Sequence, residues 1–174
     1  AAQLGMASQG TSGDNRYTDW RTNIGLASTA IQQLATTGNI SSAGMYYRHN
    51  EETSAAPFDF IYNDQLKNIA EILRQTDVGG YAEGEIQNTR NAARILKAWS
   101  FQRLTDFYGP IPYFEANKGL EGVFFPTYDN QSVIYPELLK ELEEATAGIS
   151  ASNFDPGFED SDMIYQGNLD KWKR

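Results

Sequence analysis

The stretch NTRNAARILKAWSFQRLTDFYGPIPYFE, residues 88–115, decides the fold. Ile86 just before it, then Ala92, Ala93, Leu96, Trp99, Ser100 and Leu104 make an apolar stripe at helical spacing, with Phe101 and Phe107 beside them, so the segment is an amphipathic helix. Small residues on its stripe let a second helix approach closely. Trp99 and Leu96 are expected in the core, as large apolar side chains usually are. At Tyr108-Gly109-Pro110-Ile111-Pro112-Tyr113 the helix has to stop, because the two prolines lack the N–H it needs and push their neighbours toward extended backbone. The helix is predicted from about Ala82 to Tyr108.

The same periodicity extends outward. Trp20, Ile24, Ala27, Ile31 and Leu34 predict a first helix ending by Gly38. Phe58, Ile61, Tyr62, Leu66, Ile69, Ile72 and Leu73 predict a second, from about Phe58 to Asp77, stopped by Gly79-Gly80. A fourth, from Asn130 or Gln131 to about Ile149, carries Ile134, Leu138, Leu139, Leu142 and Ala145. Residues 39–57 have no period and read as a long loop, a place where binding residues often sit. Residues 109–130, with Pro110, Pro112, Gly119, Gly122 and Pro126, read as an ordered connector. Residues 1–16 are small and polar and read as a flexible lead-in. A last amphipathic helix begins at Lys171-Trp172-Lys173-Arg174. No strand pattern competes, so the fold class is all-α. The helix–connector–helix pair resembles a tetratricopeptide-like unit, which makes the expected architecture a helical repeat array with long ordered connectors, truncated at its C-terminal side.

Composition narrows the function. The 174 residues are about one domain. With 14 basic and 23 acidic residues, a net charge of −9 argues against nucleic acid and anionic lipid. Without cysteine there is no thiolate or disulfide chemistry. No apolar run approaches the roughly 18 residues of a membrane span, and the start AAQLGMASQGTSGD is not a signal peptide.

No catalytic constellation or cofactor motif stands out. His49 is the only histidine, there is no GxSxG elbow, and the many carboxylate pairs read as solvated surface. Asp155, Glu159, Asp160 and Asp162 could offer oxygens to calcium, but they lack the spacing of an EF-hand loop, and a plain acidic loop is the better reading. The best candidate ligand site is Tyr46, Tyr47, His49, Glu51, Glu52 and Phe58. Aromatic rings stack on the flat faces of sugars, while carboxylates and His bond the hydroxyl rim. Peptides would use the same residue types. Equally, Tyr46 and Phe58 could simply staple the loop to the second helix.

Three segments in order, NAARILKAWSFQRLTDFYGPIPYFEA (91–116), FPTYDNQSVIYPELLKELEEA (125–145) and DMIYQGNLDKWKR (162–174), resemble the SusD/RagB family. The resemblance covers residue 88 to the end; the first two helices fit more loosely. It implies an all-α, tetratricopeptide-like fold and a surface-exposed outer-membrane lipoprotein of Bacteroidetes-type bacteria. It implies capture of oligosaccharides, or in some members oligopeptides, without catalysis. It also implies a partner, a SusC-like TonB-dependent barrel transporter that the lipoprotein covers as a lid. A non-ligand-binding interaction scaffold is the alternative. Residues 1–174 are then expected to be the N-terminal part of one such domain. The family's lipidated cysteine is then expected upstream or removed, and the family's C-terminal half is expected beyond residue 174. The family's binding residues are poorly shared between members, so none is carried over by motif.

Overall fold

A computed structural model describes residue 3, residues 19–35 and residues 44–174. The lead-in expected over 1–16 lies outside the described residues, Gln3 excepted. The described residues are helical and contain no strand, only an antiparallel bridge between Ile111 and Asp129. The chain divides into two compact units, Leu4–Asp64, and Gln65–Arg174 joined by Ala1–Gln3.

In the first unit, Asp19–Ala27 is wound as a wide π-helix and passes into α1, Ser28–Ala30. The helix ends there, well before Gly38, because Gln32 turns into the left-handed region at φ 61°. The expected stripe is not the buried one. Ile24, Ile31 and Leu34 are exposed, while Thr22, Gly25 and Thr29 face inward. Wider winding puts more residues in each turn than the α-helical period assumes. Gly25 and Gly44 are both buried, and the Gly44 N–H donates to the Gly25 carbonyl at 3.1 Å. A side chain on Gly44 would overlap the Leu26 carbonyl and the Thr29 hydroxyl.

Helix α2 is Glu51–Phe60, so it starts well before Phe58 and takes in part of the expected loop. Asn50 sets the start: its side chain accepts from the Thr53 N–H at 2.9 Å, and the Thr53 hydroxyl donates to the Asn50 carbonyl at 3.0 Å. Pro57 sits inside the helix, where it removes a single donor. A second π-wound stretch, Ile61–Leu66, follows, and the division between the units falls within it.

The second unit is built on α3 (Lys67–Thr76), α4 (Gln87–Tyr108) and α5 (Gln131–Gly148). Its core includes Ile69, Ala92, Ala93, Leu96, Phe101, Leu104, Ile134, Leu138 and Ala145. Helices α4 and α5 run antiparallel. Gln131 at the start of α5 donates to the Thr105 carbonyl near the end of α4 at 2.9 Å, while Gly148 at the end of α5 lies against Asn91. That close approach is what the small residues on the α4 stripe permit. Between them, Arg94 pairs with Glu141 at 3.0 Å and Glu144 at 2.6 Å.

Helix α4 starts at Gln87 rather than Ala82, because residues 81–85 form turns and Ile86 is left-handed at φ 43°. One of its first N–H groups, that of Thr89, is satisfied from far along the chain, and the Asn88 side chain is held from there too. Asp155 accepts from the Thr89 N–H at 2.6 Å and hydroxyl at 3.1 Å, and Asn88 exchanges hydrogen bonds with Ser150. Trp99 is not in the core. It is 36% exposed, with the Arg103 guanidinium 4.9 Å from its ring centre. Asn88 and Thr89 at the start of α4 are held by Ser150 and Asp155, and Trp99 and Phe107 lie further along the helix, exposed. The connector expected over 109–130 is pinned onto itself. Asp129 accepts from the Tyr113 and Phe114 N–H groups, both at 3.0 Å, and Glu115 from the Thr127 N–H and hydroxyl.

Candidate functional site

The sequence-derived cluster lies in the first unit, in the turn and extended residues that lead to α2. Gly44–Tyr47 is a turn closed by the Tyr47 N–H on the Gly44 carbonyl at 3.1 Å, with Tyr47 left-handed at φ 50°. Tyr46 is 57% exposed, and the Arg48 guanidinium sits 5.4 Å from its ring centre. Tyr47 is 76% exposed, yet its hydroxyl donates to the Ala30 carbonyl at 3.0 Å and ties the turn to α1. His49 is exposed outside any helix or turn, and Glu51 is the exposed first residue of α2, where a carboxylate complements the helix dipole.

Tyr46, Tyr47, His49 and Glu51 thus share one short exposed stretch. Phe58 does not join them: it lies two turns into α2, half-buried, with its ring 4.6 Å from that of Tyr62. Arg48 is the member that sequence reading missed, and its position between two aromatics and the histidine was the available signal. The stretch offers flat rings, a guanidinium, an imidazole and a carboxylate. It can stack and hydrogen-bond a neutral polar ligand. It has no nucleophile paired with a base.

The acidic segment 155–162 has structural duties. Asp155 caps α4, as described above. Asp162 is buried and accepts from the Ile164, Tyr165 and Gly167 N–H groups at 3.0, 3.2 and 3.0 Å, from the Trp172 indole at 2.7 Å and from the Gln3 amide at 3.1 Å. Burial opposes its charge, but the indole and backbone donors outweigh it and hold the carboxyl below its usual range. Glu159 and Asp160 are exposed. Among the described residues no three His, Cys, Asp or Glu side chains gather as a metal site. A cleft of about 200 Å³ opens among Ile72, Leu96, Phe158 and Met163, beside Asp162. Asp162 is saturated with donors, so the cleft offers apolar contact and no acid–base group. No helix among the described residues is long and apolar enough to cross a membrane.

No curated protein matches the chain. Solved structures do. A chitin-binding protein is 30% identical with a TM-score of 0.78, the match covering 99% of this chain and 34% of that one. A SusD-like protein of Bacteroidetes AC2a is 26% identical with a TM-score of 0.77, covering 98% and 30%. A SusD/RagB family protein from Bacteroides thetaiotaomicron, 23% identical with a TM-score of 0.71 over 99% and 35%, shares the fold. The chain therefore spans about a third of the length of these relatives. The SusD-like family model, described as starch-binding and associating with the outer membrane, matches residues 2–174, and with the helical fold this makes the chain a member of the SusD-like family.

Proposed function

We propose that this chain is the N-terminal part of a single, longer SusD-like domain that binds glycans at the bacterial surface. In this reading the protein is a lipid-anchored, surface-exposed component of the outer membrane. It captures oligosaccharides and passes them to a SusC-like TonB-dependent barrel, and its helices belong to a tetratricopeptide-like array. Capture is by stacking and hydrogen bonding, with no bond made or broken. The observation that carries the proposal is the family match over residues 2–174 with its starch-binding description. The 30% identity to a chitin-binding protein supports the same ligand class. The exposed Tyr46–Glu51 stretch supplies side chains suited to it.

Calorimetric titration of the full-length protein with chito- and malto-oligosaccharides tests this. Saturable binding is expected, weakened about tenfold by Tyr46→Ala with Tyr47→Ala, while the helical circular dichroism is kept. Oligopeptide binding alone would move the ligand class. Co-purification with the barrel but binding of neither class would leave a lid or scaffold. Release of shortened sugars would overturn the non-enzymatic reading.

A further inference from the structure

The loop between α3 and α4, residues 77–85, is fixed by its own hydrogen bonds and yet displays two apolar side chains to solvent. The Gly80 N–H donates to the Asp77 carbonyl at 2.9 Å, Ala82 to Gln75 at 2.8 Å and Glu85 to Ala82 at 3.1 Å. Side chains hold the rest. Glu83 accepts from the Gly79 N–H at 2.8 Å, Asp77 from Val78 at 3.0 Å and Gln75 from Tyr81 at 3.3 Å. Gly79 and Gly84 take φ of 81° and 74°, which favour glycine. On this frame Val78 is 87% exposed and Tyr81 is 96% exposed. Among the described residues, no ring, cation or hydrogen-bond acceptor meets the Tyr81 side chain.

Within residues 1–174, an ordered backbone that presents an aromatic ring with both faces open gains nothing for folding, since the ring buries no area there. The size of the patch selects its occupant. A tyrosine offers roughly 150–250 Å², whereas a stable protein partner needs about 800 Å² on each side. One ring and one valine fit a sugar. The rim is acceptor-rich: Glu83 spends one oxygen on the loop and keeps another for a hydroxyl, Asp77 holds Val78 and faces Arg90 at 3.6 Å with the same oxygen, and Glu85 is exposed beside them. Such a rim favours neutral saccharides over acidic ones.

We infer that residues 78–85 form a second glycan contact, with Tyr81 as its stacking platform. The inference rests on the glycan-binding reading above. It is tested on the full-length protein, titrated with chitohexaose and maltohexaose. Tyr81→Ala should weaken whichever sugar binds by about two- to tenfold, the range expected for one stacked ring. Tyr81→Phe should keep the affinity, and the thermal midpoint of both should match the parent. Wild-type affinity in Tyr81→Ala, with the parent binding, overturns this contact alone. A parent that binds neither sugar overturns the glycan reading and this contact with it.

Discussion

Asp162 shows how much one side chain holds in this protein. Five donors converge on its carboxylate, three of them backbone N–H groups within the next five residues and one the indole of buried Trp172. Asp162→Ala leaves those donors without an acceptor, and buried unmet donors cost about 1–3 kcal/mol each. A loss of roughly 2–4 kcal/mol is expected in urea unfolding, with Trp172 fluorescence as the reporter. Gly44 is equally constrained from the opposite direction. A methyl group there meets the Leu26 carbonyl and the Thr29 hydroxyl, so Gly44→Ala should destabilise the first unit by about 2 kcal/mol or more. The same variant should disturb the turn that carries Tyr46 and Tyr47, read as lower binding. Neither duty was legible in sequence. An aspartate in a polar segment looks like solvated surface, and a buried glycine announces its need only once its neighbours are placed. Asn50 is a favoured N-cap residue, but residues 39–57 show no apolar period, so the start of α2 reads as loop.

At the scale of elements, the α4–α5 pair was read most closely. Its helices, its small-residue contact and its connector follow from an uninterrupted period and two prolines. Asp19–Ala27 failed because π winding changes which residues share a face. The ends of α4 differ in the same sense. Tyr108 was visible through Gly109, whereas the start at Gln87 follows from the left-handed Ile86 and is supported by Asp155, which is remote in sequence. The pair also predicts a response to pH. Burial opposes the charge of Glu141, but Arg94 and Lys97 outweigh it and hold the carboxyl below its usual value of 4.5. Its contribution is therefore present above that value and lost as pH falls below it. Glu141→Gln should remove about 1–2 kcal/mol near neutral pH and flatten the acid limb of stability against pH. At the alkaline side, burial and the nearby Glu141 and Glu137 push Tyr113 up to about 12. Unfolding frees it to ionise near 10, so stability should fall by about 2–3 kcal/mol between those pH values. Tyrosinate absorbance followed through unfolding checks this, and Tyr113→Phe should abolish that fall.

For the molecule as a whole, the exposed apolar side chains carry the argument. Leu120, Phe124, Phe125 and Tyr128 stand in solvent on a connector that is itself pinned by Asp129 and Glu115. With Trp99 and Phe107 they give this chain more uncovered aromatic surface than scattered single residues would explain. The structural relatives run to about three times this length, and on the proposal that this chain is part of a longer domain, the remaining chain covers part of that surface. The proposed tetratricopeptide-like array would behave this way, because each unit of such an array leaves a face for its neighbour to bury. Residues 1–174 expressed alone should therefore bind a hydrophobic dye strongly and unfold at lower urea than the same residues within the full-length protein. Phe124→Ser with Phe125→Ser should lower dye binding in the short chain without lowering its urea midpoint, since side chains that bury nothing there cannot hold it folded. In the full-length protein the same pair should cost about 2 kcal/mol or more if the remaining chain packs on them. A full-length midpoint that does not move would leave the connector facing solvent or the barrel partner proposed above, and retention of a tagged barrel by the parent but not by the double variant would select that partner.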